Sequence, residues 1–147
     1  MSNNITKFNG VYRFLSNFYP AEVLMRNYPP YDPYVYPTVE HAYQAAKTLD
    51  LEERSLIYNC ANAAGAKKLG RKLVLRNDWE QIKLDLLLQK FSKVDSKNKL
   101  LATGNTQLIE ENDWKDTFWG VCKGIGDNHL GKLLMEIRGE IRGDTKN

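Results

Sequence analysis

The 147 residues are 42% hydrophobic and 27% charged, with 21 Lys and Arg against 18 Asp and Glu for a net charge of +3. This length and balance fit a single soluble globular domain and exclude a chain disordered beyond its ends. A basic excess this small permits nucleic acid as a partner without arguing for it, while two cysteines and two histidines without ligand spacing indicate no disulfide framework, no metal and no cofactor.

The opening "MSNNITKFNG" has no basic segment followed by an apolar one. No run approaches the roughly 20 apolar residues of a membrane span, so a cytoplasmic protein without membrane contact is expected. Residues 1 to 37 read as extended structure and loops. Short strands near Glu22 to Met25 and Tyr34 to Tyr36, joined by the turn "NYPPYDP", make a small hairpin, because proline excludes helix there and Tyr and Val suit a pleat.

From Thr38 the pattern turns helical. Thr38 caps a helix running to about Leu49, Asp50 caps a second through "LEERSLIYN", and Asn62 begins a third that ends at Gly70. Asp78 with Gln81 resembles a capping box opening the long helix "WEQIKLDLLLQKFSK", and another helical piece follows around "KNKLLAT". The turn "TGNT" leads into a strand, "QLIEE". Leu130, Leu133, Leu134, Ile137 and Ile141 then recur at helical spacing behind a cap at Asp127 or Asn128, and "GDTKN" should fray. Lysines and arginines at 67, 68, 71 and 72, and lysines at 90, 93, 97 and 99, read as solvated helix faces. The sum is an α+β domain, predominantly helical, with a few strands contributed by both ends of the chain.

Within "VYPTVEHAYQAAKTLD", Glu40, Tyr43, Gln44 and Lys47 share one helical stripe, and Ala42, Ala45, Ala46 and Leu49 share the opposite one. Glu40 near the start and Lys47 near the end suit the helix dipole without any further role. The small-residue stripe, however, lets the helix press closely on a neighbour and hold the polar row as a rigid platform. Glu40 and Lys47 would stand about 10 Å apart along the axis, within reach of one ligand through long side chains.

In "RFLSNFYP", Ser16 and Asn17 lie between Phe14, Leu15, Phe18 and Tyr19. This is either a turn between core aromatics or a place where small polar groups bond a planar heterocycle while rings pack on it. Around "FWGVCKGIGDNHLG", glycines, Lys123 and a helix start near Asn128 are the ingredients of an anion site, or simply of a turn. Asp127 would repel an anion placed badly there. Trp79 and Trp119 are either core or stacking platforms.

Taken together, "FLSNFYP", "YPTVEHAYQAAK", "GRKLVLRNDWEQIK", "LLATGNTQLIE", "FWG" and "GDNHLGKLLMEIR" resemble the NADAR family, also called YbiA-like, in family order from Phe14 to Arg138. The resemblance implies one compact α+β YbiA-like domain over residues 1–147 and an N-glycosidase acting on a ribosyl C1 to nitrogen bond. It implies two substrate classes, ADP-ribose on guanine in nucleic acid or nucleotides, and early phosphoribosylamino pyrimidine intermediates of riboflavin biosynthesis. A non-catalytic ADP-ribose-binding module is the alternative, and an ADP-ribosyltransferase toxin is an implied functional counterpart. Carried over by position, Glu40 and Lys47 become the catalytic candidates. Phe14, Ser16, Asn17, Phe18, Tyr43, Gln44, Trp79, Trp119, Gly120, Lys123, Asp127 and Asn128 become the substrate-binding ones.

Overall fold

A computed structural model describes residues 4–25, 28 and 30–143. Among these, short strands and a helical majority give the expected α+β fold. The chain forms two compact units, residues 17–90 and residues 1–16 with 91–147.

In the unit of residues 17–90, β1 (Pro20–Leu24) pairs antiparallel with β2 (Val35–Thr38), with an irregularity in register between Pro20 and Val23. The turn expected between them falls partly on residues outside those described. Gln89 supplies what a further strand would, since its side-chain amide accepts from the Leu24 N–H at 2.8 Å and donates to the Leu24 carbonyl at 2.7 Å. That satisfies an otherwise open edge.

Thr38 ends β2 and caps α1 (Val39–Ala45), its hydroxyl accepting from the His41 N–H at 3.0 Å. The helix stops at Ala45 rather than at Leu49, because the Thr48 hydroxyl takes the Asp50 N–H at 3.1 Å and the Thr48 carbonyl accepts from Arg54 Nε at 2.9 Å. Such local side-chain bonding competes with helix. Leu49, expected on the packed stripe, is therefore 70% exposed.

Asp50 and Asn62 cap α2 (Leu51–Tyr58) and α3 (Ala63–Gly70) as the pattern foretold. Ahead of α4 (Trp79–Lys90), the side chains of the expected box bond elsewhere. Asp78 instead takes the fork of Arg76 at 2.8 and 3.0 Å, and the Gln81 amide donates to Asp85 at 2.9 Å. Every residue of α1 is buried, and the helix packs on β1, β2, α2, α3 and α4.

In the other unit, a 3-10 helix (Gly10–Leu15), absent from the sequence reading, covers a stretch expected to be extended. Two more strands, Asn4–Ile5 and Gln107–Leu108, pair in parallel with Asn4 beside Gln107. The pairing continues through Ile109 N–H to Ile5 O at 2.8 Å and Glu111 N–H to Thr6 O at 3.0 Å. The helices α5 (Val94–Ala102) and α6 (His129–Arg142) pack on one another. Gly143, with φ of 88°, closes α6 in the left-handed conformation that favours glycine. The residues expected to fray beyond it lie outside those described. No helix among the described residues is long and apolar enough to cross a membrane.

Candidate active site

The polar row of α1 is enclosed, although Lys47, expected on the same helical stripe, falls in the turn after the helix ends at Ala45. Glu40, Tyr43 and Gln44 are buried and Lys47 is half-buried, while Ala42, Ala45 and Ala46 pack tightly on the other side. The Glu40 N–H donates to the Asn17 carbonyl at 3.2 Å, and the Gln44 amide donates to Glu40 Oε2 at 2.5 Å. Gln44 is held in turn by Gly70. A Cβ built on that glycine would stand 1.9 Å from Gln44 Oε1, so α3 ends in glycine for space rather than for a left-handed turn.

Two buried acceptors in this cluster, Asn17 Oδ1 and Gln44 Oε1, have no hydrogen-bond partner among the described residues. Leaving each dry and unbonded costs about 1–3 kcal/mol.

Cations gather around Tyr43. Lys83 Nζ lies 4.0 Å and Lys47 Nζ 5.4 Å from its ring centroid, distances suited to cation–π attraction. Burial pushes the Lys47 amine below the usual lysine range; Glu40 opposes that shift and Lys67 adds to it. Burial, reinforced by Glu40, raises the Tyr43 phenol, which therefore keeps its proton at neutral pH. Trp79 and Arg76 join Tyr43 and Lys47 around a narrow crevice. Phe18 is 42% exposed, with Lys67 Nζ 6.0 Å from its centroid.

Lys83 and Lys90 were not foreseen, and Lys90 corrects the expectation of a solvated lysine face. Both are fully buried on α4. Burial and the nearby Lys83 bring the Lys90 amine down to about 7. The signal lay in the spacing, since Lys83, Leu87 and Lys90 fall on one stripe together with the buried Ile82 and Leu86.

The other unit holds the remaining sequence-predicted residues. Phe14 is buried and Ser16 is half-buried at the end of the 3-10 helix. Trp119 is half-buried beside Phe118 and His129, with ring centroids 5.0 and 6.2 Å away. Gly120 is required by packing, because a Cβ there would meet Glu110 Oε2 at 1.8 Å and the Glu110 carbonyl at 2.1 Å. Lys123 and Gly124, with φ of 52° and 78°, form a two-residue turn between Cys122 and Ile125, which exchange backbone bonds at 2.9 and 3.0 Å. The Lys123 side chain is exposed at that tip.

Asn128 opens α6 without capping it. Its Oδ1 accepts from the Glu110 N–H and its Nδ2 donates to the Leu108 carbonyl, each at 3.0 Å. Both sides of the amide are thus used by backbone. Asp127 is exposed, with Oδ2 3.7 Å from His129 Nε2.

The family model of the NADAR domain matches residues 6–142. The chain is 38% identical over 142 residues to a protein of Nostoc punctiforme named as an N-glycosidase, covering 89% of this chain and 86% of that one. It is 34% identical to a riboflavin biosynthesis protein of Vibrio vulnificus over 88% of its own length but only 35% of that protein, so it spans about a third of that relative. The NMR structure of Escherichia coli YbiA superposes with a TM-score of 0.76 at 32% identity, over 98% of this chain and 88% of that one.

Proposed function

The chain belongs to the NADAR family, and from that premise we propose that it is an N-glycosidase that removes ADP-ribose from ADP-ribosylated guanine, in nucleic acid or in a nucleotide. The observation that carries the reading is the buried carboxylate of Glu40, fixed by Gln44 and flanked by the unbonded acceptors Asn17 Oδ1 and Gln44 Oε1.

Cleavage of a ribosyl C1 to nitrogen bond builds positive charge on C1 and the ring oxygen. A fixed carboxylate beside C1 stabilises that charge more in the transition state than in the ground state. The unbonded acceptor Asn17 Oδ1 suits a ribose hydroxyl, which would orient C1 toward Glu40. Glu40 also serves to direct a water at C1.

Lys47 supplies a second route. Its lowered basicity makes the neutral amine accessible, and that amine attacks C1 as the base departs with a proton. The sugar ring opens to a Schiff base, and water then releases the aldehyde sugar and regenerates the amine. Trp79 and Phe18 offer rings for the heterocycle. In the unit of residues 1–16 and 91–147, the roles of Phe14, Ser16, Trp119, Gly120, Lys123, Asp127 and Asn128 rest on the order of the family's sequence blocks.

A second reading, cleavage of phosphoribosylamino pyrimidine intermediates, is favoured by the riboflavin names of the Vibrio vulnificus relative and of a 34% identical Zea mays protein. Incubation with an ADP-ribosylated guanosine oligonucleotide and, separately, with those intermediates decides between them by the product masses. Release of ADP-ribose from the oligonucleotide is expected. Turnover of the pyrimidine intermediates alone would select the second reading, and calorimetric binding of ADP-ribose without any product would select a binding module. The guanine reading requires a partner reaction that writes the mark, an ADP-ribosyltransferase such as a toxin.

A further inference from the structure

A separate cleft of about 630 Å³ lies in the unit of residues 1–16 and 91–147, beside the 3-10 helix and α5. Its walls include Val11, Tyr12, Phe14, Lys99, Thr103 and Thr106. That volume is in the range of small-molecule sites and far exceeds what a lone inorganic anion fills. The lining combines two aromatic rings and apolar surface with hydroxyls and an ammonium.

The electrostatics of the cleft are one-sided. Lys99 Nζ lies 6.0 Å from the Phe14 ring centroid, and its only ion-pair partner among the described residues is Asp95, one turn back at 3.3 Å and 85% exposed. An ion pair so open to water is weak and readily exchanged.

Behind the cleft wall sits a second cation. Arg138 is buried, and its guanidinium donates to Thr103 Oγ1 at 2.9 Å and to the Thr106 carbonyl at 2.8 Å, both neutral oxygens of residues lining the cleft. No carboxylate pairs with it among the described residues, and its Nε has no hydrogen-bond partner there. A buried charge without a counter-charge is expensive. It is compensated when an anion settles nearby, where the low-dielectric wall transmits its field.

We propose that this cleft is a nucleotide-binding site, with the base against the exposed ring of Tyr12 and the phosphate at Lys99 in the field of Arg138. The Tyr12 ring supplies stacking surface that accepts any base. Lys99 gives up a solvated carboxylate for a phosphate. The inference uses no residue of α1 and does not depend on the glycosidase reading; Phe14 is the one residue the two share.

Guanosine monophosphate, guanosine and inorganic phosphate titrated separately into the ¹⁵N-labelled full chain provide the test. Guanosine monophosphate should shift the amide resonances of Tyr12, Phe14, Lys99 and Thr103, with guanosine about tenfold weaker. Lys99→Gln should weaken the nucleotide about tenfold and leave guanosine unchanged, and Tyr12→Ala should weaken both. Both replaced side chains are exposed, and an unchanged thermal midpoint verifies that each variant is folded. Glu40→Gln should leave these shifts intact, which separates this site from the fate of the glycosidase proposal. Absence of shifts at these four residues at millimolar nucleotide, binding indifferent to both variants, or identical shifts with inorganic phosphate alone would overturn the proposal.

Discussion

Gln44 and Glu40 stand one helical turn apart and are joined side chain to side chain, amide nitrogen to Oε2 at 2.5 Å. The bond orients the carboxylate and leaves its other oxygen for chemistry. Glu40→Gln removes the negative charge at nearly constant shape, so turnover should fall about 10²–10⁴-fold while substrate affinity changes little. Single-turnover rates beside calorimetric affinities check this, and a variant turning over at the wild-type rate would take Glu40 out of the reaction.

Lys47→Arg keeps a cation and removes the nucleophile. If the amine forms a Schiff base, the variant should lose at least about 10²-fold, and borohydride added during wild-type turnover should yield a protein adduct by mass spectrometry. Because burial lowers the Lys47 amine, the neutral fraction grows with pH. The rate should therefore climb below the ordinary lysine range and level off above the lowered value. A flat profile together with no adduct would leave the carboxylate route alone.

Gly70→Ala drives a methyl group into the Gln44 amide and should cost about 1–3 kcal/mol, with activity falling because Gln44 positions Glu40. Gly120→Ala meets the Glu110 backbone as well as its side chain, and backbone yields less readily, so its cost should be greater. Urea denaturation midpoints give the ordering; equal midpoints for both variants and wild type would contradict the packing described.

Lys90 makes stability depend on pH. Its amine titrates at about 7 in the folded protein against 10.5 in an ordinary setting, so between those values the unfolded chain binds more protons. Stability should rise with pH across that window and be lowest, as far as this group is concerned, below pH 7. Tyr28, Tyr36 and Tyr43, whose phenols are raised mainly by burial, contribute the opposite slope only above about pH 10. Denaturation midpoints at pH 6, 7.5 and 9 should increase in the wild type and flatten in Lys90→Met.

Much of this was legible because capping residues act locally. Thr38, Asp50 and Asn62 each announce a helix through one short bond. The box at Asp78 misled because Arg76, two residues earlier, offers the carboxylate a forked partner stronger than a backbone N–H. The extent of α1 was overread because Thr48 bonds to Asp50 and Arg54, a local preference that hydrophobic periodicity does not register. The polar row of α1 was visible in sequence, whereas the burial of Lys83 and Lys90 was not, since lysines are read as solvent-facing until their stripe is compared with the leucines beside them. Asn128 is a similar case. Its place at the head of α6 was readable, but its amide bonds to Leu108 and Glu110, far back in the chain.

The parallel pair that sets Asn4 beside Gln107 joins stretches separated by the whole of residues 17–90, which fold into a unit of their own. On the ribosome, Asn4 and Ile5 emerge ahead of Gln107 and Leu108 and must therefore wait without their mates until these have been made. The inner segment is free to fold while they wait, so closure of the outer unit falls late in biogenesis. A nascent chain arrested before Leu108 has left the exit tunnel should resist protease across residues 17–90 and remain cleavable near Ile5.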